Sequence, residues 1–415
     1  MKKKLASLLA VGAFLWSVPF AGAGDIDQEQ ILKELEYLKQ TVKFQEIKIQ
    51  QLKAAMTEQK GETKPASDKG AKVSIVNSAI EQLEIKGDLR VRYERRERSN
   101  PDDSYGATNR ERARFRLGGV WKNKSEAWEA GAGLATGGAD GRSTNDTWGE
   151  EFAFETGDIR LDYAYAKHKI EDFSFTLGQQ VNPFETSWLF WDGDLRPTGL
   201  TAQYNSKIGV FATLGGYSVK FYQTTTQDTG LLFAGQAGYK NKIGDIKLLA
   251  AAGFQYTDGE FNNNEAKDPA YEFRVGDFYA KVGIPLGVVE LSPYAQIWCN
   301  FGADGAVGKG QRGGTLDPSE EDLGWILGLD ATIQKFVKVG YAYAVVGADS
   351  LYGPFVDSDF GTGLSDTDVK GHRIGASFDI TKNISTGATA LFFEAAERKN
   401  QREVDLYQVD VNYKF

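Results

Sequence analysis

Two hydrophobic periods divide the chain. Ile31, Leu35, Leu38, Val42, Ile49, Leu52 and Met56 recur at alternating steps of four and three, with polar Gln45 in the one gap. This heptad seam predicts an α-helix over 24–59. Isolated helices of that length are marginal in water, so the seam implies a coiled coil or docking on something else. A single amphipathic helix lying on a surface would carry the same short seam. From Leu83 onward the period falls to two, the signature of β-strands with one apolar face. Sixteen strands are predicted, at roughly 83–95, 110–122, 126–136, 158–168, 173–181, 198–206, 210–222, 229–240, 245–257, 272–284, 288–300, 322–333, 336–347, 369–381, 384–395 and 402–415.

The first two strands write one pattern twice. Leu89, Val91 and Tyr93, then Ala113, Phe115, Leu117 and Trp121, share one face. Arg90 and Arg92, then Arg112, Arg114 and Arg116, share the other. Like charges on neighbouring strands repel, so these arginines need water or acids beside them, and Asp88 and Glu94 are close in sequence.

The connections alternate in length. Short turns such as 123–125, 169–172, 207–209 and 334–335 take turns with long segments rich in Gly, Asp, Asn and Ser, at 96–109, 137–157, 182–197, 258–271, 301–321 and 348–368. Short turns at one end and long loops at the other are what a transmembrane barrel shows. Leu323, Trp325, Leu327, Leu329, Ala331 and Ile333 alternate with Gly324, Gly328, Asp330 and Thr332, one set for lipid and the other for a wet interior. Tyr93, Trp121, Trp128, Tyr163, Tyr256 and Tyr413 sit where interfacial aromatic girdles belong. The chain closes on Val409, Val411, Tyr413 and Phe415 facing lipid, and a terminal Phe415 looks like the signal that outer-membrane barrels present to their assembly machinery. The fold expected is an all-β transmembrane barrel of about 16 antiparallel strands over 83–415.

Lys2 to Lys4, the apolar run 5–20 and Ala21-Gly22-Ala23 read as a signal peptide over 1–23, with Gly24 as the expected new N-terminus. No later run reaches about 18 apolar residues, so a membrane must be crossed by strands. Residues 60–82 read as a linker that places the 24–59 helix in the periplasm. The formal charge of −9 argues against nucleic-acid binding, and the single Cys299 excludes an intramolecular disulfide. His168 and His372, the only histidines, stand in no catalytic motif; no enzyme activity, metal or cofactor is expected. Asp357, Asp359, Asp366 and Asp368 cluster in one long loop without EF-hand spacing, and read as a solvated acidic loop.

GDLRVRYE (87–94), RERARFRLG (110–118), the Ala-Thr-Gly-Gly stretch at 135–138, GQQVNPF (178–184) and LFWDGDLRPTGLTAQY (189–204) resemble the "putative porin" family of Gram-negative outer membranes. The resemblance implies a channel-forming barrel and names no solute. Sixteen strands leave room for an aqueous channel, with Arg90, Arg92, Arg112, Arg114 and Arg116 lining one wall. The segment 182–197 holds Phe184, Trp188, Leu189, Phe190 and Trp191, which are expensive to expose, together with Glu185, Asp192 and Asp194. It is expected to fold inward as a constriction loop whose acids oppose the arginine wall. The alternative is packing of its aromatics onto the barrel rim or a neighbouring subunit. The function expected is passive diffusion of ions and small hydrophilic solutes with weak anion preference, in a trimer by analogy with porins. The alternative is a barrel that sheathes or anchors a partner, such as an electron-transfer protein or the cell wall.

Overall fold

The computed structural model describes Lys43 and residues 72–73, 82–100, 102, 104–138, 141–149, 157–219, 230–258, 273–305, 307, 310–312, 315–361, 366–398 and 402–415. The chain divides into two units, Met1–Asp68 and Lys69–Phe415. The leader and, apart from Lys43, the heptad segment 24–59 lie outside the described residues.

Sixteen strands of the second unit make one antiparallel sheet that closes on itself. They are β1 (Gln82–Ser99), β2 (Tyr105–Asn123), β3 (Trp128–Thr136), β4 (Ile159–Ile170), β5 (Phe173–Gln179), β6 (Thr198–Asn205), β7 (Val210–Val219) and β8 (Gly230–Ile243). The second half comprises β9 (Ile246–Asp258), β10 (Arg274–Leu286), β11 (Val289–Asn300), β12 (Leu323–Ile333), β13 (Val337–Val346), β14 (Val369–Asp379), β15 (Ile384–Ala395) and β16 (Glu403–Lys414). Each pairs with its neighbours in sequence, and β16 returns to β1, from Glu403↔Ser99 to Lys414↔Asp88. Closure leaves no unpaired edge, which is what allows strands to cross a hydrocarbon layer. Two-residue strands at Lys72–Val73 and Asp146–Thr147 add to β1 and β2; the first lies inside the expected linker.

The period of two reappears as exposure. Leu89, Val91, Leu323, Leu327 and Leu329 are exposed on the outer face, while Arg92, Glu94 and Ile326 are buried on the inner one. Tyr93, Trp128 and Tyr413 are likewise exposed outward. The terminal Phe415 exchanges both backbone hydrogen bonds with Gly87 (3.0 and 3.1 Å) and stacks on Phe115 and Tyr413. A Cβ on Gly87 would sit 2.4 Å from that ring, so only glycine admits it.

Two expectations are corrected. The first long loop, expected at 96–109, shrinks to 100–104, because Arg95↔Asn109 through Ser99↔Tyr105 continue the β1–β2 ladder. Tyr163, assigned to the outer girdle, points inward. The β3–β4 register slips between Gly133 and Leu134, pairing Gly133 with Tyr163 but Leu134 with Leu161 and leaving Asp162 as the extra residue. A bulge of this kind reverses the facing of everything beyond it. Leu161 stays exposed outward, and Tyr163 lies over Gly118 and Gly133.

Candidate functional site: the barrel interior

The arginine hairpin is set by register. Arg90 stands opposite Arg114, and Arg92 opposite Arg112, so like charges face each other across the strands. Acids placed between them offset the repulsion. Asp88 on β1 takes Arg114 (2.7 Å) and Arg116 (2.8 Å). Glu94, 1% exposed, accepts Arg110 and lies 3.6 Å from Arg112 and 3.7 Å from Arg96. Arg92, 5% exposed, donates Nε and Nη2 to the carboxylate of Asp410 on the closing strand (2.7 and 3.0 Å). Its Nη1 reaches Asp359 at 3.0 Å. Arg90 donates to Asn145. All five predicted arginines share the inner wall, and four of them have acidic partners.

The segment 182–197 folds inward. Its backbone is fixed by inward glutamines: Glu185 N donates to Gln236 on β8 (2.8 Å), and Ser187 N to Gln296 on β11 (2.7 Å). Leu189, Phe190 and Trp191 are buried, Phe190 edge-on to Trp298 at 5.5 Å. Trp188 donates Nε1 to Tyr294 Oη (3.0 Å) and carries the guanidinium of Arg373 over its ring at 4.9 Å. Glu185 binds Lys240 on β8.

The acids of this loop oppose the arginines only in part: Asp194 lies within Coulombic reach of Arg114, and neither Asp192 nor Asp194 forms an ion pair with the five arginines. Asp192 accepts from Ser358 N (2.7 Å), and Asp194 from Thr144 N (2.9 Å) and Oγ1 (3.0 Å). They tie three loops together, and the loop acid that pairs directly with the arginine wall is Asp359, from another segment.

That segment, 348–368, reads from the sequence as a solvated acidic loop, and its described residues 348–361 and 366–368 correct this. Leu351, Val356 and Phe360 are almost fully buried, Tyr352 nearly so, and Phe355 stacks on Trp191 at 5.2 Å. Asp192 N donates to Phe355 O and Asp357 N to Leu189 O, so the two inward segments form one body inside the wall. Burial pushes the Asp357 carboxyl well above the usual range, with Asp359 and Asp192 adding. Burial also works to raise Asp359, but Arg92 and Gln408 outweigh it and hold that carboxyl low. Asp368 is fully buried against Arg398, and Asp366 pairs with Arg142 (3.2 Å). Among the described residues no group of His, Cys, Asp or Glu is arranged to hold a metal ion. His168 stacks on Trp128, His372 packs at a tilt against Tyr343, and Cys299 Sγ meets Asp322.

Toward the short turns the interior opens. A cavity of about 560 Å³ is lined by Glu185, Lys240, Lys242, Lys247, Lys281 and Glu290, with Leu248, Leu249 and Tyr279 among its other walls. A second, of about 320 Å³, adjoins it at Lys281 and reaches Lys338 and Arg373. Acids brace these cations as well: Lys247–Glu290 at 2.7 Å, Lys281–Asp330 at 3.0 Å and Lys338–Asp379 at 3.6 Å.

On the long-loop side, Glu321 accepts Asp349 N through its carbonyl (2.9 Å), joining 301–322 to the inward body. Burial, with Glu397 adding, raises its carboxyl to about 7 from 4.5. The folded loop therefore binds more protons than the unfolded one between those values. Its stability is expected to be unpenalised below pH about 4.5 and to fall as pH rises toward 7. Hydrogen exchange of 315–322 should accelerate across that window, and Glu321→Gln should flatten the dependence.

The family described as putative porin matches residues 102–276 and 308–415. OprB of Pseudomonas putida, in its high-pH structure, aligns with a TM-score of 0.54 at 12% identity, covering 80% of this chain and 94% of its own. The anion-selective porin from Comamonas acidovorans gives 0.48 at 13%, over 80% and 99%. The BenF-like porin from Pseudomonas fluorescens gives 0.48 at 11%, over 81% and 99%. No curated protein matches. OprB, at that identity, supports the fold alone; the family match spans well over half of the sequence, and by it this chain belongs to the putative porin family of outer-membrane β-barrels.

Proposed function

We propose that the barrel is a water-filled channel for passive diffusion of ions and small hydrophilic solutes, with a weak preference for anions. One observation carries this reading. The inner wall of a closed sixteen-strand barrel is polar and bears cations in excess, while the outer wall offers only apolar side chains to lipid over most strands. On the hairpin, Arg90, Arg92, Arg96, Arg110, Arg112, Arg114 and Arg116 outnumber Asp88, Glu94, Asp359 and Asp410. Rings of charge set ion selectivity, and pairing with acids makes the preference weak. The inward segment with Glu185, Trp188, Trp191, Asp192 and Asp194 narrows the passage as one body with 347–361.

The same reading places the 24–59 helix in the periplasm, has Phe415 recognised by the assembly machinery, and takes the protein to be a trimer. The test is single-channel conductance of refolded protein in planar bilayers, with and without residues 24–72. Discrete ohmic steps are expected, with a small anion-directed reversal potential in a KCl gradient. Glutamine at the five predicted arginine positions should move that potential toward cations. Absence of any conductance would overturn the channel and favour a sheath or anchor. Unchanged oligomer mass on truncation would remove the helix from assembly.

A further inference from the structure

Most cations of the inner wall are bound to a carboxylate, and Arg373 differs. It lies on β14 with its guanidinium stacked over Trp188 at 4.9 Å, and it makes no ion pair with any described residue. Its platform is rigid, because Trp188 is hydrogen-bonded to Tyr294 and packed edge-on to Phe360. Stacking occupies one face of a guanidinium and leaves its edge of N–H donors available. Arg373 lines the 320 Å³ cavity, whose floor is made of residues that leave space: Gly340, Gly375, Ser377 and Thr389. A Cβ added to Gly375 would meet nothing closer than 3.7 Å.

Two lysines complete the cavity. Lys281 and Lys338 line it, each also holding an acid of the wall, Asp330 and Asp379. Asp330 is the one carboxylate among the lining residues. Asp357 of the inward body lies within Coulombic reach of Arg373 but forms no ion pair with it. Burial, along with Asp359 and Asp192, favours its protonated form. A stacked arginine edge, two ammonium groups and the hydroxyls of Ser292, Thr332, Ser377 and Thr389 make a donor set without enough acceptors. A forked guanidinium with nearby point charges suits a planar or tetrahedral oxyanion.

We propose that Arg373, Lys281 and Lys338 form an oxyanion-binding site, for a carboxylate or phosphate group, on the inner wall beside the inward loop. As a waypoint for solutes it rests on the channel reading; as a binding site it does not. It places the selective contact on the lysine-bearing half of the wall, across β10 to β14, away from the arginine hairpin.

The probes are inorganic phosphate and acetate, added to the full chain refolded in detergent. Line broadening of the phosphate ³¹P signal should saturate, and acetate should compete with it. Arg373→Gln should weaken phosphate binding at least about tenfold, the usual loss for a charged hydrogen bond. Arg373→Lys, which keeps the charge and loses the fork, should fall between. The heat-dependent gel shift of a folded barrel controls for folding of each variant. In bilayers, phosphate added on the short-turn side should reduce chloride current, and less so in Arg373→Gln. Conductance without phosphate binding would overturn the site and leave the channel. Saturable binding lost in Arg373→Gln, without conductance, would keep the site and overturn the channel. Equal broadening by wild type and Arg373→Gln would also overturn the proposal.

Discussion

Replacing Arg92 by methionine is expected to destabilise the folded barrel by about 3–5 kcal/mol, the usual result of removing one partner from a buried ion pair. Arg92 is 5% exposed and holds two acids at once: Asp410, which belongs to the seam where β16 closes on β1, and Asp359, which belongs to the inward body. Methionine matches its stem and nothing of its charge, so both carboxylates are left without their cation. The loss should show in two measurements. The temperature at which the folded gel band converts to the unfolded one should drop, reporting the seam. Protease cleavage within 347–361 should appear under native conditions, reporting the loop. Adding Asp359→Asn should recover part of the loss, because one orphaned charge is then gone. A wild-type melting temperature in the single variant would mean that the seam does not depend on this pair.

How much of this was legible follows from which physical constraint each part obeys. The wall obeys the strictest one. Lipid on one side and water on the other force a period of two, so Leu323 to Ile333 announce a strand and its facing together. The count of strands and the ends of most of them follow from that pattern. Register is subtler. Nothing in GDLRVRYE and RERARFRLG says that Arg90 meets Arg114 rather than Arg116, since a slip of two residues keeps every side chain on its proper face. That acids neutralise the hairpin was legible from Asp88 and Glu94 in the same stretch; which arginine each takes depends on that register, and the part of Asp410, more than three hundred residues away, was hidden. The slip at Gly133 was hidden too: an inserted Asp162 reads as one more polar residue in an alternating run, and Tyr163 turned inward unnoticed.

The two inward segments show the same limit from the other side. Residues 182–197 were legible because four aromatics in sixteen residues are too costly to leave in water. Residues 347–368 carry a comparable signal in Leu351, Tyr352, Phe355, Val356 and Phe360, all of which pack inside. Their acids concealed it, since Asp357, Asp359, Asp366 and Asp368 suggest a solvated loop. The structure resolves the conflict by giving the acids partners within the protein, Arg92, Arg142 and Arg398 among them. An acidic loop facing a wall with excess arginine has a second solvent available to it, and the composition of the loop alone does not contain that fact.

Phe190→Ala should produce the other large effect, and on a different quantity. Phe190 is 1% exposed and meets the edge of Trp298, itself 1% exposed and held by Nε1 donating to Ser350 Oγ at 3.2 Å. Removing a buried phenyl ring costs about 3–5 kcal/mol when the site cannot collapse, and here β11 and β12 are fixed by the ladder from Val289↔Ile333 to Cys299↔Leu323. The wall itself loses little, since Trp298 and Ile326 keep their strand hydrogen bonds. The cost falls on docking of the inward body. At 1.4 kcal/mol per factor of ten, docking weakens by about two to three and a half orders of magnitude. Melting of the barrel should then shift far less than in the Arg92 variant, while bilayer recordings should show frequent excursions to a higher conductance as the segment leaves the passage. Leu327→Ala, on the lipid face of the same region and 56% exposed, is the control: it should alter neither trace. Quiet traces at wild-type conductance from Phe190→Ala would show that the inward body is held by its polar contacts to Gln236, Gln296 and Thr144, and that its aromatic core adds nothing to the constriction.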